Sequence, residues 1–131
     1  MRIVIIGGLG MIGRAVADLA ISRGHEVILL SRKKTTQEPA LIKATTLHWN
    51  GRDAKRLADI IDHKDAVINL AGESIGKARW TKERKNSILR SRLEPGSALV
   101  DAIRLCEQAP KTIVQASAVG IYGTGTEIME E

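Results

Sequence analysis

The stretch Val4-Ile5-Ile6-Gly7-Gly8-Leu9-Gly10-Met11-Ile12-Gly13 constrains this chain more than any other. An apolar run with no polar face reads as a buried strand, and glycines follow it at once. The sequence from Met11 to Arg23 then turns amphipathic. Strand, glycine turn and helix in that order is the setting in which a Gly-rich motif signals phosphate binding. A helix start leaves backbone N–H groups unpaired and carries partial positive charge, so it suits an anion. Glycine allows the sharp turn and keeps Cβ atoms out of a diphosphate's way. Gly8, Gly10 and Gly13 spell G-x-G-x-x-G, whereas Gly7, Gly10 and Gly13 spell G-x-x-G-x-x-G. The second register is preferred, because Gly7 directly follows the strand and should make the turn. Gly7, Gly10, Met11, Ile12 and Gly13 are therefore candidate dinucleotide contacts. The competing explanation is a tight turn that lets helix and strand pack closely, with no ligand.

The chain has 131 residues, enough for one domain with its own core. No apolar run approaches the roughly 20 residues needed to cross a bilayer, and no secretory leader is expected. Cys106 is the only cysteine, so an internal disulfide is impossible and a cytoplasmic setting is expected. It reads as a small core residue. The net charge of +5 suits an acidic partner, either a phosphorylated cofactor or nucleic acid. Aromatics make up only 2% of the chain, too few for stacking platforms, and no nucleic-acid-binding signature appears. Nucleic acid and membrane are accordingly set aside as partners. His25, His48 and His63 have no metal-ligand spacing, and no metal is expected.

Alternating signals continue downstream. Strands are expected at Arg2–Ile6, Glu26–Leu30, about 44–49, Asp65–Leu70 and Thr112–Ala116. Met11–Arg23 should be a helix with Ile12, Val16, Leu19 and Ala20 on its buried face, ended by Gly24. Asp53–Ile61 should be a second, burying Leu57, Ile60 and Ile61. A helical tract from about Thr81 to Gln108 contains Pro95, which predicts either a kink or two helices meeting near Glu94. Leu89, Leu93, Leu99, Ile103 and Cys106 should mark its core side. Its cations Arg79, Lys82, Arg84, Lys85, Arg90 and Arg92 should form a solvated face, with Arg79 placed to reach phosphates. Strands alternating with helices imply an α/β, doubly wound parallel sheet of Rossmann type. Its five strands should run in the order 3-2-1-4-5, with the ligand at the switch point between strands 1 and 4.

The end of the second strand discriminates between dinucleotides. An acidic residue there holds a ribose 2′-hydroxyl, but this chain has Ser31-Arg32, followed by Lys33 and Lys34. A hydroxyl beside a guanidinium suits a 2′-phosphate, so NADP is expected over NAD.

Further motifs follow other strands: Val67-Ile68-Asn69-Leu70-Ala71-Gly72-Glu73, Arg79-Trp80-Thr81, Ser91-Arg92, and Ala116-Ser117-Ala118-Val119-Gly120-Ile121-Tyr122-Gly123. Together with the glycine motif and Leu30-Ser31-Arg32, they span essentially the whole chain. The set resembles the atypical short-chain dehydrogenase/reductases, specifically the NAD(P)-binding, sugar-nucleotide epimerase-like family. The resemblance implies NADP contacts at Gly10, Ile12, Ser31, Arg32, Asn50, Leu70, Ala71, Gly72 and Glu73. Asn50 matches the place after the third strand that holds the adenine amino group. Members of the family are about twice as long, so this chain looks like an N-terminal half lacking the substrate region. The superfamily's chemistry uses a Ser and a Tyr-x-x-x-Lys pair, the Lys lowering the Tyr pKa. Tyr122 is the only tyrosine, and Thr126 stands four residues on. Ala118 aligns with the usual Ser, one place from Ser117. Ser117 and Tyr122 are thus weak catalytic candidates, and the catalytic set stays open. Expected partners are a small-molecule substrate, possibly a nucleotide sugar, and a second copy of the chain bound through an open sheet edge.

Overall fold

The computed structural model describes residues 1–33 and 43–117. Five strands form one parallel sheet: β1 (Arg2–Ile6), β2 (Glu26–Ser31), β3 (Thr45–His48), β4 (Ala66–Asn69) and β5 (Thr112–Gln115). Their order across the sheet is β3-β2-β1-β4-β5, as expected. Helices α1 (Met11–Ser22), α2 (Ala54–Ile61) and α3 (Lys82–Leu105) connect them. Parallel neighbours cannot be joined by a hairpin, which is why a helix fills the described crossovers.

The apolar run of β1 divides between two cores because successive side chains leave a strand on opposite faces. Val4 and Ile6 join Leu30, Trp49, Val67 and the inner faces of α2 and α3. Ile3 and Ile5 join Val27, Leu29 and α1. The central strand is thus buried on both sides, with Val4 and Ile5 wholly inaccessible.

The buried face of α1 differs from the expected one. Gly13, Ala17 and Ala20 are buried, whereas Ile12 and Leu19 are exposed. Bulk did not decide the face; clearance did. A Cβ on Gly13 would lie 2.7 Å from the Gly7 oxygen and 2.7 Å from Gly8 Cα. Only a stripe of small residues lets the helix start lie so close to the turn. Gly24 ends the helix with φ +81°, the left-handed conformation that glycine adopts freely.

The second correction concerns α3. It runs unbroken through Pro95, so two helices do not meet at Glu94. Pro95 is buried, as are Ser91, Ala98, Leu99 and Ala102. That seat holds the proline within the helix despite the lost hydrogen bond. Ile103 and Cys106 pack at the core as expected, but Leu89 and Leu93 are exposed. The stripe through positions 91, 95, 98 and 102 is the one that meets the sheet. Thr81 caps the helix start by accepting from Arg84 N (3.1 Å), and Asp53 caps α2 by accepting from Arg56 N (3.0 Å). At the end of α3, the Cys106 thiol lies 3.3 Å from the Ala102 oxygen, and burial raises its pKa. Among the described residues, no helix is long and apolar enough to cross a membrane.

Candidate functional site

The carboxyl ends of β1, β2 and β4 open on one cavity of about 340 Å³. Strand order reverses at β1, so the crevice sits where neighbouring connections diverge. Gly7, with φ +77°, makes the turn out of β1 and donates its N–H to the Leu30 oxygen (3.1 Å). A Cβ there would lie 2.9 Å from the Leu70 oxygen, so the position needs glycine for space as well as for φ. Gly10 donates to the Gly7 oxygen (3.1 Å) and caps α1 with no side chain. The first amides of α1 are therefore left without a side-chain acceptor, as an anion site at a helix start requires. The G-x-x-G-x-x-G register is the one that matches this geometry.

Of the residues singled out from sequence, Gly7, Gly10, Ser31, Arg32, Leu70, Ala71 and Gly72 line the cavity. Met11, Ile12 and Gly13 are not among its lining residues. Met11 and Ile12 point to solvent, and Gly13 lies beneath the turn. What these three can offer a ligand is main-chain N–H. Ser31 Oγ accepts from Lys33 N (3.1 Å), a local turn at the end of β2. Arg32 is exposed and has no ion-pair partner among the described residues. Its side chain passes Gly51, whose hypothetical Cβ would lie 3.6 Å from Arg32 Cδ and 3.8 Å from Pro95 Cγ.

Asn50 and Glu73 are committed elsewhere. Asn50 Oδ1 accepts from both Arg52 N and Asp53 N at 2.9 Å, closing the turn into α2. An adenine amino group is a donor, and the acceptor end of Asn50 is already doubly occupied. Glu73 pairs with Arg84 (3.1 Å) and accepts from Ser87 Oγ (2.8 Å), outside the cavity lining. Its N–H donates to Ser91 Oγ (2.8 Å) and its carbonyl accepts from Arg92 Nη2 (3.2 Å). Glu73 thus fastens the β4 exit loop to α3. Arg84 and Arg92, expected on a solvated face, belong to that fastening. The Arg92 guanidinium lies 3.1 Å from where a Gly72 Cβ would stand.

Sequence reasoning missed Leu9, Arg14, Trp49, Gly51, Lys77, Ser91 and Pro95 as lining residues. Arg14 carried a readable signal. A cation close to a helix start opposes the helix dipole, which marks the position, and its Nε donates to the Leu9 oxygen (2.9 Å) beside the glycine turn. Arg79 was expected to reach phosphates, but Lys77 is the lysine or arginine of that loop at the cavity. Ser117 is exposed after β5 and does not line the cavity. Tyr122 lies outside the described residues. Among the described residues, Arg14, Arg32, Lys33 and Lys77 give the lining four cations and no carboxylate.

An acidic-and-histidine cluster lies elsewhere. Asp62, His63 and Glu107 converge on the surface near the end of α2. Asp62 Oδ1 accepts from Gln108 N (2.8 Å) and from His63 N (3.0 Å). These amides, that of Gln108 foremost, hold the Asp62 carboxyl below its ordinary pKa.

Comparisons with known proteins agree with this geometry. The sequence model of the NAD dependent epimerase/dehydratase family matches residues 3–131. The chain is 38% identical over 127 residues to the epimerase family protein YfhF of Bacillus subtilis, covering 97% of this chain and 41% of that protein. It is 36% identical over 130 residues to the epimerase family protein ML0860 of Mycobacterium leprae, covering 98% and 40%. Among solved structures, the human epimerase family protein SDR39U1 with NADPH superposes with a TM-score of 0.76 at 36% identity, covering 95% of this chain and 39% of that one. UDP-glucose 4-epimerase from Brucella ovis, in complex with NAD, superposes at 0.78 with 22% identity, covering 97% and 38%, a likeness of fold. The chain spans about two fifths of the length of these proteins. With the family model matched almost end to end, the chain belongs to the NAD dependent epimerase/dehydratase family and forms its NAD(P)-binding, Rossmann-type domain.

Proposed function

We propose that this chain is the NADP-binding domain of an epimerase- or reductase-like protein acting on a nucleotide-sugar-like substrate. The observation that carries the reading is a cavity at an uncapped helix start, lined among the described residues by four cations and no carboxylate. Gly7, Gly10 and the first amides of α1, from Met11, Ile12 and Gly13, hold the diphosphate. Ser31 and Arg32 take the 2′-phosphate, Arg32 as a planar, permanently charged donor. Leu70, Ala71 and Gly72 form the wall on the β4 side, and Glu73 keeps that wall in place. Asn50 shapes the adenine end. The NADPH of the human relative supports the choice of phosphate over hydroxyl. The bound nicotinamide supplies reversible hydride transfer. This chain's part is to hold the dinucleotide at the sheet's carboxyl edge, on whose β5 side Ser117 stands. A cytoplasmic setting fits the single cysteine.

A second reading is a non-catalytic module whose NADP occupancy reports redox state or stabilises a partner. The absence of a lysine four residues after Tyr122 favours it. Absorbance at 340 nm, followed with nucleotide sugars and NADP, separates the two. Steady turnover by this chain excludes the pure binder, and binding without turnover excludes catalysis by this chain alone.

A further inference from the structure

We infer that Pro95 makes the main-chain carbonyl of Ser91 a hydrogen-bond acceptor for the adenine amino group of the bound dinucleotide. The inference rests on the cavity being the dinucleotide site. In a regular helix the carbonyl of residue 91 accepts the N–H of residue 95. Residue 95 is a proline inside α3, so that donor does not exist. Ser91 and Pro95 are both buried and both line the cavity, so the turn of helix between them borders it. Among the described residues, no group outside the helix donates to it. A carbonyl deprived of its helical donor calls for another. The Ser91 hydroxyl cannot play the part, because it accepts from Glu73 N (2.8 Å) and donates to the Ile88 oxygen (2.7 Å).

The location selects the purine end of the ligand. Pro95 Cγ stands across Gly51 from Arg32, and Arg52 pairs with Glu94 at 3.0 Å, so this turn of α3 adjoins the loop after β3. Asn50, in the same loop, has its acceptor oxygen filled by Arg52 N and Asp53 N. The adenine amine therefore needs another acceptor, and the Ser91 carbonyl supplies it.

The test is calorimetric titration of the intact chain with NADPH and with its hypoxanthine analogue, in which a carbonyl replaces the amine. In the parent chain, NADPH should bind about tenfold more tightly than the analogue, the worth of one hydrogen bond made rather than opposed. Pro95→Ala restores an N–H for the Ser91 carbonyl and should bring the ratio to within about twofold. Pro95→Val restores the same N–H with more apolar bulk and should do likewise. Thermal melts of both variants establish that they are folded before their ratios are read. A tenfold preference surviving in both folded variants overturns this inference while leaving dinucleotide binding standing. A parent chain that binds neither nucleotide overturns both.

Discussion

Gly13→Ala puts the packing of α1 on the glycine turn to a quantitative test. In an exposed helix the exchange stabilises by about 1 kcal/mol, because glycine loses more backbone freedom on folding. At position 13 the new methyl would lie 2.7 Å from the Gly7 oxygen, 2.7 Å from Gly8 Cα and 2.8 Å from the Gly8 carbonyl carbon. All three are main-chain atoms of the turn, so no side chain can swing aside. Overpacking of this kind costs about 1–3 kcal/mol, and rigid neighbours put it at the upper end. The net loss should be about 2 kcal/mol. Gly96→Ala is the internal control. Gly96 sits inside α3, and a Cβ there meets nothing within 4 Å, so this exchange should stabilise by about 0.5–1 kcal/mol. At about 4 °C per kcal/mol for a chain of this size, melting temperatures should fall about 8 °C for the first and rise about 2–4 °C for the second. Urea unfolding should show the same gap as shifted midpoints at equal slopes. If Gly13→Ala proved as stable as Gly96→Ala, the close approach of α1 to the glycine turn would be refuted.

Three other outcomes follow from the same structure. Asp65 accepts from Arg2 N at 2.6 Å, and this bond chiefly holds its pKa below the ordinary 3.8, as Gln108 N does for Asp62. A lowered folded-state pKa gives stability that is complete about one unit above the unfolded value and lost as pH falls through the folded one. Asp62→Asn and Asp65→Asn should therefore be less stable than the parent at pH 6 and show a shallower loss between pH 4 and 2, read by urea unfolding. Burial, the largest influence on Cys106, raises its pKa, so a disulfide reagent at pH 8 should label the folded chain far more slowly than the urea-unfolded one. Equal rates would refute that. β5 pairs only with β4 among the described residues, and Ile113 and Val114 are exposed, so light scattering should give a mass above the monomer's. A clean monomer would contradict self-association.

The architecture was legible because β1 is apolar without interruption, which only a doubly covered strand permits. Turn chemistry at Gly7 and Gly24 fixed where the strand and the helix end, and both have the positive φ that glycine allows. Hydrophobic periodicity misled at Ile12 and Leu19, where clearance over the turn outweighed side-chain size. It misled again at Leu89 and Leu93, because α3 turns its Ser91–Pro95 stripe inward. Pro95 reads in sequence as a helix breaker, and only its burial explains why the helix continues. Within the site, the strand-end residues Gly7, Ser31, Arg32 and Leu70 were visible because a motif and a strand end coincide. Trp49, Gly51 and Lys77 were not, since nothing local brings the loops after β3 and β4 to the same cavity. That convergence belongs to the sheet order.

Isothermal titration with NADPH and NADH, on the parent chain and on Arg32→Asp, bears most directly on the site. The parent should bind NADPH one to one and about 10–100-fold more tightly than NADH, the worth of a charged hydrogen-bonded contact. Arg32→Asp should abolish that preference while still binding NADH. Discrimination unchanged by the substitution would remove Arg32 from its role, and no binding of either nucleotide by the folded parent would contradict the site itself.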